Sequence, residues 1–504
     1  MAKRAFKRVL IANRGEITVR VAKTLRDMGI SPVAIYSDAD RMAPHVRSCD
    51  YAYYVGPSPA TESYLDTDKI LDIVVNNEID AIHPGYGFLS ENAAFADAVE
   101  AAGVAFIGPP SNAMRLMGSK TEAREVMKRA QVPIVPGSEA LESAEEALAM
   151  AAQFGYPVML KAAAGGGGKG MRLVHNDAEL ESGYRSAKSE AKNAFGDDTI
   201  YLEKAVVNPR HIEIQILSGP DGRTLWLGER ECSMQRRHQK VIEETPSVLV
   251  DDEMRRKMGE VACQAAEAVN YVGAGTVEFL ADNEGNFYFL EMNTRLQVEH
   301  PVTEMCSGID LVEAQVRVAQ GELLTWEQEE LACQGHAIEA RVYAEDPERQ
   351  FMPSPGLIED RVLPQGPGVR VDCGVAKGFE VPRYYDPMIA KIVAWGQNRE
   401  QARRRLLRAL DETAVKGITT NIVFLRRLLT TACFRSGDYT TDSIAEMMSD
   451  EKPPVNSELE EVAIAAAVIN RFRRDHSATP ADHGADTARV SSWRGGGHWR
   501  GGCG

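Results

Sequence analysis

The sequence predicts an α/β protein of about three domains that opens with a parallel sheet. Three observations support that class. Strand-like and helix-like segments alternate between residues 8 and 118. A strand–turn–strand pattern occupies 275–293, around the turn-rich Asp282-Asn-Glu-Gly-Asn286. The length of 504 residues suits several domains with cores of their own.

The elements follow in order. Arg8-Val-Leu-Ile-Ala-Asn13 reads as a buried strand, and Glu16–Met28 has helical spacing that ends at Gly29. Pro32–Tyr36, Ile79–His83 and Val104–Gly108 read as further strands, giving a Rossmann-like parallel sheet with helices on both faces. Asn13-Arg-Gly-Glu16 stands where a dinucleotide site would carry GxGxxG, so a dinucleotide reading is weak. His83-Pro-Gly-Tyr-Gly-Phe-Leu-Ser-Glu-Asn92 follows a strand's carboxyl end, the place for a ligand loop in such sheets, although a plain Pro-Gly turn explains it too.

A second unit starts with the helix opened by Gly118-Ser-Lys120. Tyr156–Lys161 is a strand ending in lysine, followed by four glycines, Lys169 and Gly170. Such a backbone can wrap an anion with its N–H groups; the alternative is a flexible linker. Gly170 in place of Ser or Thr rules out a Walker A loop. Ile200–Lys204 is the next strand. His211 shares a strand face with Glu213 and Gln215, which suits a structural histidine as well as a ligand-binding one. Arg236, Arg237, His238 and Lys240 form a basic run that reads as a local anion site or a solvated charge run.

The densest chemistry lies in Phe287–Pro301. Glu291, Asn293, Arg295, Gln297 and Glu299 alternate after an apolar run, so an extended chain would present them on one face. Desolvating that face costs several kcal/mol unless ions or substrates satisfy it. With the hairpin centred between Glu284 and Gly285, Glu278 faces Glu291. Two carboxylates opposed in a ladder repel, and a divalent cation between hard oxygens reverses the sign.

A third unit spans 331–450. Arg341 stands among apolar residues, where half of a buried salt bridge is one explanation. Asp386 and Lys391 read as structural or interfacial, and Asn398–Glu412 as a basic helix with a solvated face. Ser457-Glu-Leu-Glu460 is a capping-box pattern opening a helix to about Arg474. The Gly-rich remainder is expected to be disordered.

A formal charge of −16 and pI near 5.3 argue against nucleic acid as the main partner. Eight cysteines without a CxxC pair suggest reduced thiols in a cytoplasmic protein. No apolar run is long enough for a membrane span, and Asn13-Arg14 interrupts what could be a leader.

Glu291-Met-Asn-Thr-Arg-Leu-Gln-Val-Glu-His-Pro301 closely resembles the signature of biotin carboxylases, members of the ATP-grasp superfamily. The resemblance runs from Arg8 to about Met447. It implies an N-terminal domain (1–118), an ATP-grasp domain (119–330) with a mobile glycine-rich lid (about 133–205), a C-terminal mixed-sheet domain (331–450), and a helix plus tail (451–504). It implies that Lys120, Lys161, Gly166, Gly167, Gly168 and Lys169 contact phosphate, and that Glu203, Lys204 and His211 hold adenine and ribose. Gln235, His238 and Leu280 complete the nucleotide contacts, and Tyr86 lines the biotin pocket. Glu278, Glu291 and Asn293 would hold magnesium, or manganese in its place. Arg295, Gln297 and the Val298 backbone would hold bicarbonate, with Lys240 beside it. Glu299 would be the general base, and Arg341 would face the biotin ureido oxygen.

The activity so implied is ATP- and bicarbonate-dependent carboxylation of biotin on a separate carrier protein, through carboxyphosphate. That is the first half-reaction of an acetyl-CoA or acyl-CoA carboxylase, as in fatty acid biosynthesis. Pyruvate or propionyl-CoA carboxylase, an ATP-grasp carboxylate–amine ligase and a silent ATP-binding subunit are the alternatives. No Ala-Met-Lys-Met biotin-attachment motif occurs in the sequence, so the expected partners are a separate biotin carboxyl carrier protein and carboxyltransferase subunits; the resemblance also implies a homodimer.

Overall fold

The computed structural model describes residues 4–162, 171–195 and 197–450, together with 465 and 469. The chain divides into two compact units, Met1–Glu446 and Met447–Gly504, and the first holds everything described below. The expected glycine-rich loop at 163–170 and the tail lie outside the described residues. So does the helix expected from Ser457, apart from two helical positions.

The first sheet is parallel, in the order β3 (Tyr51–Gly56), β2 (Ser31–Ser37), β1 (Arg8–Ile11), β4 (Ala81–His83), β5 (Ala105–Phe106). Side-chain alternation along β1 builds two cores at once. Val9 and Ile11 pack with Ile17, Val21 and Leu25 of α1 (Gly15–Asp27). Leu10 packs with Ile70, Val74, Phe95 and Val99 on the other face. Each such buried side chain contributes about 1.5–3 kcal/mol. The strand order reverses between β1 and β4, which opens a crevice at their carboxyl ends. Asn13 closes it, donating to the carbonyls of Pro84 at 2.8 Å and Tyr86 at 2.7 Å. The His83–Asn92 loop is thereby tied to the first strand.

A small antiparallel sheet follows: β6 (Val158–Ala162) between β7 (Met171–Val174) and β8 (Ile200–Lys204). The largest sheet is antiparallel and has eight strands. It contains β9 (Arg210–Ser218), β10 (Thr224–Arg236), β11 (Gln239–Thr245), β12 (Gly273–Ala281), β13 (Phe287–Asn293) and β14 (His336–Tyr343). Strands Met388–Gly396 and Val369–Cys373 complete it beyond β14. In β9, Ile212, Ile214 and Ile216 pack against Met254, Met258 and Ala262 of helix Asp252–Glu267. His211, Glu213 and Gln215 therefore face the opposite side.

Two expectations are corrected here. The strand expected through Glu299 stops at Asn293. The Thr294 N–H goes to the Glu91 carboxylate at 3.1 Å instead of to a ladder partner, and residues 294–298 loop into helix His300–Ser307. The helix Arg399–Glu412 is not simply a solvated face. Arg399 grips Glu244 at 2.7 and 2.8 Å, and Arg403 is buried and donates to the Leu429 carbonyl at 3.0 Å.

Glu244 is fully buried and also meets His336 Nε2 at 2.6 Å and the Tyr439 hydroxyl. Burial alone would raise its pKa; hydrogen bonds and charge from His336 and Arg399 outweigh it and bring Glu244 down to about 2. A depressed carboxylate stabilises the fold above its unfolded pKa and loses that contribution as pH falls. Wild type should therefore lose about 3 kcal/mol through Glu244 between about pH 5 and pH 2. In chemical unfolding followed against pH, Glu244→Gln should show a shallower acid limb. An identical slope would remove Glu244 as its cause.

Candidate active site

The site is built on the second face of the eight-stranded sheet. Register places Glu213 of β9 opposite Glu278 of β12, and Glu278 opposite Glu291 of β13. Three carboxylates thus lie abreast on adjacent strands, an arrangement that repels unless cations intervene. The expected Glu278–Glu291 pairing occurs by a different route. The turn centres on Glu284, one place off, and a bulge at Glu278/Phe279 restores the register.

Two cations fill the face. Lys240, from β11, places Nζ 2.5 Å from Glu213, 2.9 Å from Glu278 and 2.7 Å from Glu299. Arg230, from β10, is wholly buried and donates to Glu213, to Gln215 at 2.6 Å, Thr303 at 3.0 Å, Thr276 at 2.9 Å and Gln297 at 2.7 Å. All five guanidinium N–H bonds are used, the full capacity of that side chain. The Glu278 carboxylate also accepts from Asn293 at 2.9 Å and Gln297 at 2.7 Å, and its second oxygen lies 2.8 Å from His211 Nε2.

Glu299 is the residue that precedes helix His300–Ser307. Its buried carboxylate lies between Lys240 and Arg341 Nη2, the latter at 2.8 Å. Arg341 turns its Nε to Glu243 at 2.5 Å. Burial would raise the Glu299 pKa, but Lys240, Arg341 and Arg230 hold it well below the carboxylate range. Burial lifts Glu243 to about 7, against the pull of Arg341. Lys240 goes the opposite way from what burial favours: Glu213, Glu278 and Glu299 push it well above the lysine range.

Arg295 donates to Glu91 at 2.8 Å and to Asn293 Oδ1 at 2.9 Å, so the loop that replaces the expected strand is pinned to the His83–Asn92 loop. The Val298 carbonyl accepts from the buried Lys391 at 2.7 Å. That ammonium lies 5.8 Å from the centre of the Tyr86 ring, which brings Tyr86 to the same end of the site.

The remaining expected residues fall into other places. Gln235 is buried in β10 opposite Lys240, and Leu280 in β12 lies opposite His211. His238 is exposed at the turn Arg237–His238, where φ values of 50° and 67° mark a two-residue hairpin. Lys161, Glu203 and Lys204 lie on the small sheet. Glu203 takes Lys161 and, at 2.8 Å, Arg124; Lys204 donates to the carbonyls of Gly155 at 2.8 Å and Tyr156 at 3.2 Å. Lys120 opens helix Lys120–Arg129, but its side chain, like Gly166, Gly167, Gly168 and Lys169, lies outside the described residues.

Arg230, Glu243 and Glu91 escape a reading by sequence. The available signal was the shared face of His211, Glu213 and Gln215, which demands a buried cation opposite; Arg230 pairs with Glu213 in register.

Among the described residues, the Glu291 side of this face suits a divalent cation. Among the described residues no hydrogen bond or ion pair reaches the Glu291 carboxylate, and burial together with the facing Glu278 raises its pKa. His211, Glu213 and Glu278 also hold ligand atoms within 4.8 Å of one another, but Lys240 and Arg230 already neutralise Glu213. The free, repelled oxygens of Glu291 beside those of Glu278 and Asn293 are the hard donors such an ion takes.

The family and structural matches that follow make this fold and site those of an ATP-dependent ligase. Residues 5–114 match the family "Biotin carboxylase, N-terminal domain", 119–327 the "Carbamoyl-phosphate synthase L chain, ATP binding domain", and 339–446 the "Biotin carboxylase C-terminal domain". The chain is 52% identical to biotin carboxylase from Halalkalibacterium halodurans, over 86% of this chain and 96% of that protein. It is 50% identical to the propionyl-CoA carboxylase alpha chain of Ruegeria pomeroyi, over 92% of this chain and 72% of that protein. Among solved structures it is similar to the biotin carboxylase–β-γ-ATP complex from Campylobacter jejuni, with TM-score 0.81, 47% identity, and coverage of 88% and 99%. It is also similar to the biotin carboxylase domain of Hydrogenobacter thermophilus 2-oxoglutarate carboxylase, in complex with MgADP and bicarbonate, with TM-score 0.80, 46% identity, and coverage of 88% and 98%. The chain belongs to the biotin carboxylase family.

Proposed function

We propose that this chain carboxylates biotin on a separate carrier protein, using ATP and bicarbonate, as the first half-reaction of an acyl-CoA carboxylase. The observation that carries the reading is the Glu299 carboxylate held between Lys240 and Arg341 at 2.7 and 2.8 Å. Such a group is ionised at neutral pH and so is ready to accept a proton. Bicarbonate entering beside Lys240 and the Arg295 fork competes for those cations and raises the basicity of Glu299. Glu299 takes the bicarbonate proton, and the bicarbonate oxygen attacks the ATP γ-phosphorus as the bond to ADP breaks, leaving carboxyphosphate. Positioning and charge neutralisation carry most of such a transfer.

Glu278, Glu291 and Asn293 would hold magnesium, which would supply charge neutralisation for the phosphoryl transfer. Lys161, Lys120, Gly166, Gly167, Gly168 and Lys169 are assigned to the phosphates, and Glu203, Lys204, His211, Gln235, His238 and Leu280 to the rest of the nucleotide. Carboxyphosphate breaks down to carbon dioxide and phosphate. Phosphate takes the biotin N1′ proton, and N1′ attacks carbon dioxide. Arg341 holds the negative ureido oxygen, and Tyr86 lines the pocket. The carrier then moves to a carboxyltransferase.

Relatives named for propionyl-CoA and methylcrotonoyl-CoA carboxylases support the acyl-CoA reading, while the biotin carboxylase subunit of pyruvate carboxylase is as similar in structure and supports the pyruvate alternative. Radiolabelled bicarbonate tests the reading. Label should appear on a biotinylated carrier and pass to an acyl-CoA once carboxyltransferase is added; transfer to pyruvate alone would select the other system. Glu291→Gln should raise the magnesium needed for half-maximal ADP release at least about 10-fold. An unchanged magnesium titration would take Glu291 out of the ion's donor set.

A further inference from the structure

Cys306 sits in the last turn of helix His300–Ser307, which Glu299 immediately precedes. Cys333 lies just before β14, the strand that carries Arg341. The Gln334 N–H donates to the Cys306 carbonyl at 2.9 Å, which sets Cys333 beside the helix end, while the Cys306 thiol donates to the Thr245 carbonyl at 3.7 Å. Their surroundings differ. Cys306 is buried among Val302, Ala337 and Val393, whereas Cys333 is exposed. The contact between them raises the Cys306 thiol, with burial adding to it, and lowers the Cys333 thiol. An accessible, more acidic thiol next to a buried partner is the arrangement of an attacking and a resolving cysteine. Elsewhere, Cys49 and Cys232 are buried, and burial raises Cys263 to about 12.

We infer that Cys306 and Cys333 form a peroxide-sensitive dithiol, a redox modification site joining the helix behind Glu299 to the strand of Arg341. The Cys333 thiolate attacks one peroxide oxygen; the O–O bond breaks, a sulfenic acid forms and hydroxide leaves as water. The Cys306 sulfur then attacks the Cys333 sulfur, its proton leaves with the hydroxyl as a second water, and the disulfide closes. In sum two thiols are oxidised by two electrons, and one peroxide is reduced to two waters.

The test uses the reduced full-length protein, treated with limiting hydrogen peroxide, denatured, alkylated and mapped as peptides. One Cys306–Cys333 linked peptide pair is expected, lost again after dithiothreitol. Dimedone should label Cys333 in Cys306→Ser, where no resolving thiol remains, and label it weakly in wild type. Because Cys306 is buried and its variant can misfold, the wild-type map decides alone. Oxidation of Cys333 to sulfinic acid with Cys306 still reduced would overturn the inference. So would a link from Cys333 to Cys503 or to another chain.

Discussion

Glu299→Gln lowers bicarbonate-dependent ADP release by about 10²–10⁴-fold while ATP affinity stays near its wild-type value. The substitution keeps the shape and leaves an amide oxygen for Lys240 or Arg341, so the surrounding cluster survives. On the proposed reading it removes the group that accepts the bicarbonate proton. No described hydrogen bond or ion pair joins Glu299 to Lys161, Glu203 or Lys204 on the small sheet, so the nucleotide binding proposed there has no reason to change. Steady-state kinetics with ATP and bicarbonate varied separately, together with direct nucleotide titration, check this. Wild-type turnover in Glu299→Gln would refute the base assignment.

Arg230→Ala destabilises the protein by about 3–5 kcal/mol, because the buried Glu213 keeps only Lys240, which Glu278 and Glu299 share, and Gln215, Thr276, Gln297 and Thr303 lose their donor. The magnitude comes from burial. Arg408–Glu412, also an ion pair at 2.7 Å, is half exposed and is worth at most about 1 kcal/mol. Arg230 has no exposed surface and orders Gln297 and Thr303, on either side of Glu299. Arg230→Lys should recover only part of the loss, since three ammonium donors cannot replace five guanidinium N–H bonds. Urea unfolding of Arg230→Ala beside Arg408→Ala measures the contrast. Equal, small shifts would show that the hub does not hold the sheet together.

Four of the five strands of the parallel sheet were readable from the sequence, because strand and helix periods alternate there and nothing remote is needed to set them; the edge strand Tyr51–Gly56, half-exposed and rich in tyrosine, was not read. The opposition of Glu278 and Glu291 was readable for a related reason: a hairpin is local and its pleat has a period of two. Residues 294–299 were misread because alternating polar residues mimic a strand, whereas Glu91, some 200 residues away, captures the Thr294 N–H. Arg230 was hidden for the same physical cause. Its acceptors come from β9, β12, the 294–298 loop and helix His300–Ser307, so no window of sequence contains the hub. The basic helix was misjudged because Arg399 and Arg403 turn inward to Glu244 and the Leu429 carbonyl, partners 155 and 26 residues away that the helix's own sequence does not show.

On the proposed reading, Glu299, Lys240 and Arg341 form one centre that turns bicarbonate and ATP into a carboxyl donor for biotin. The measurement that bears on it most closely is ADP release with ATP, magnesium and bicarbonate, in the presence and absence of free biotin or a biotinylated carrier. ADP release that depends on bicarbonate and is stimulated by biotin is the expected result. ATP binding with no bicarbonate-dependent turnover, even with the biotinylated carrier present, would contradict it.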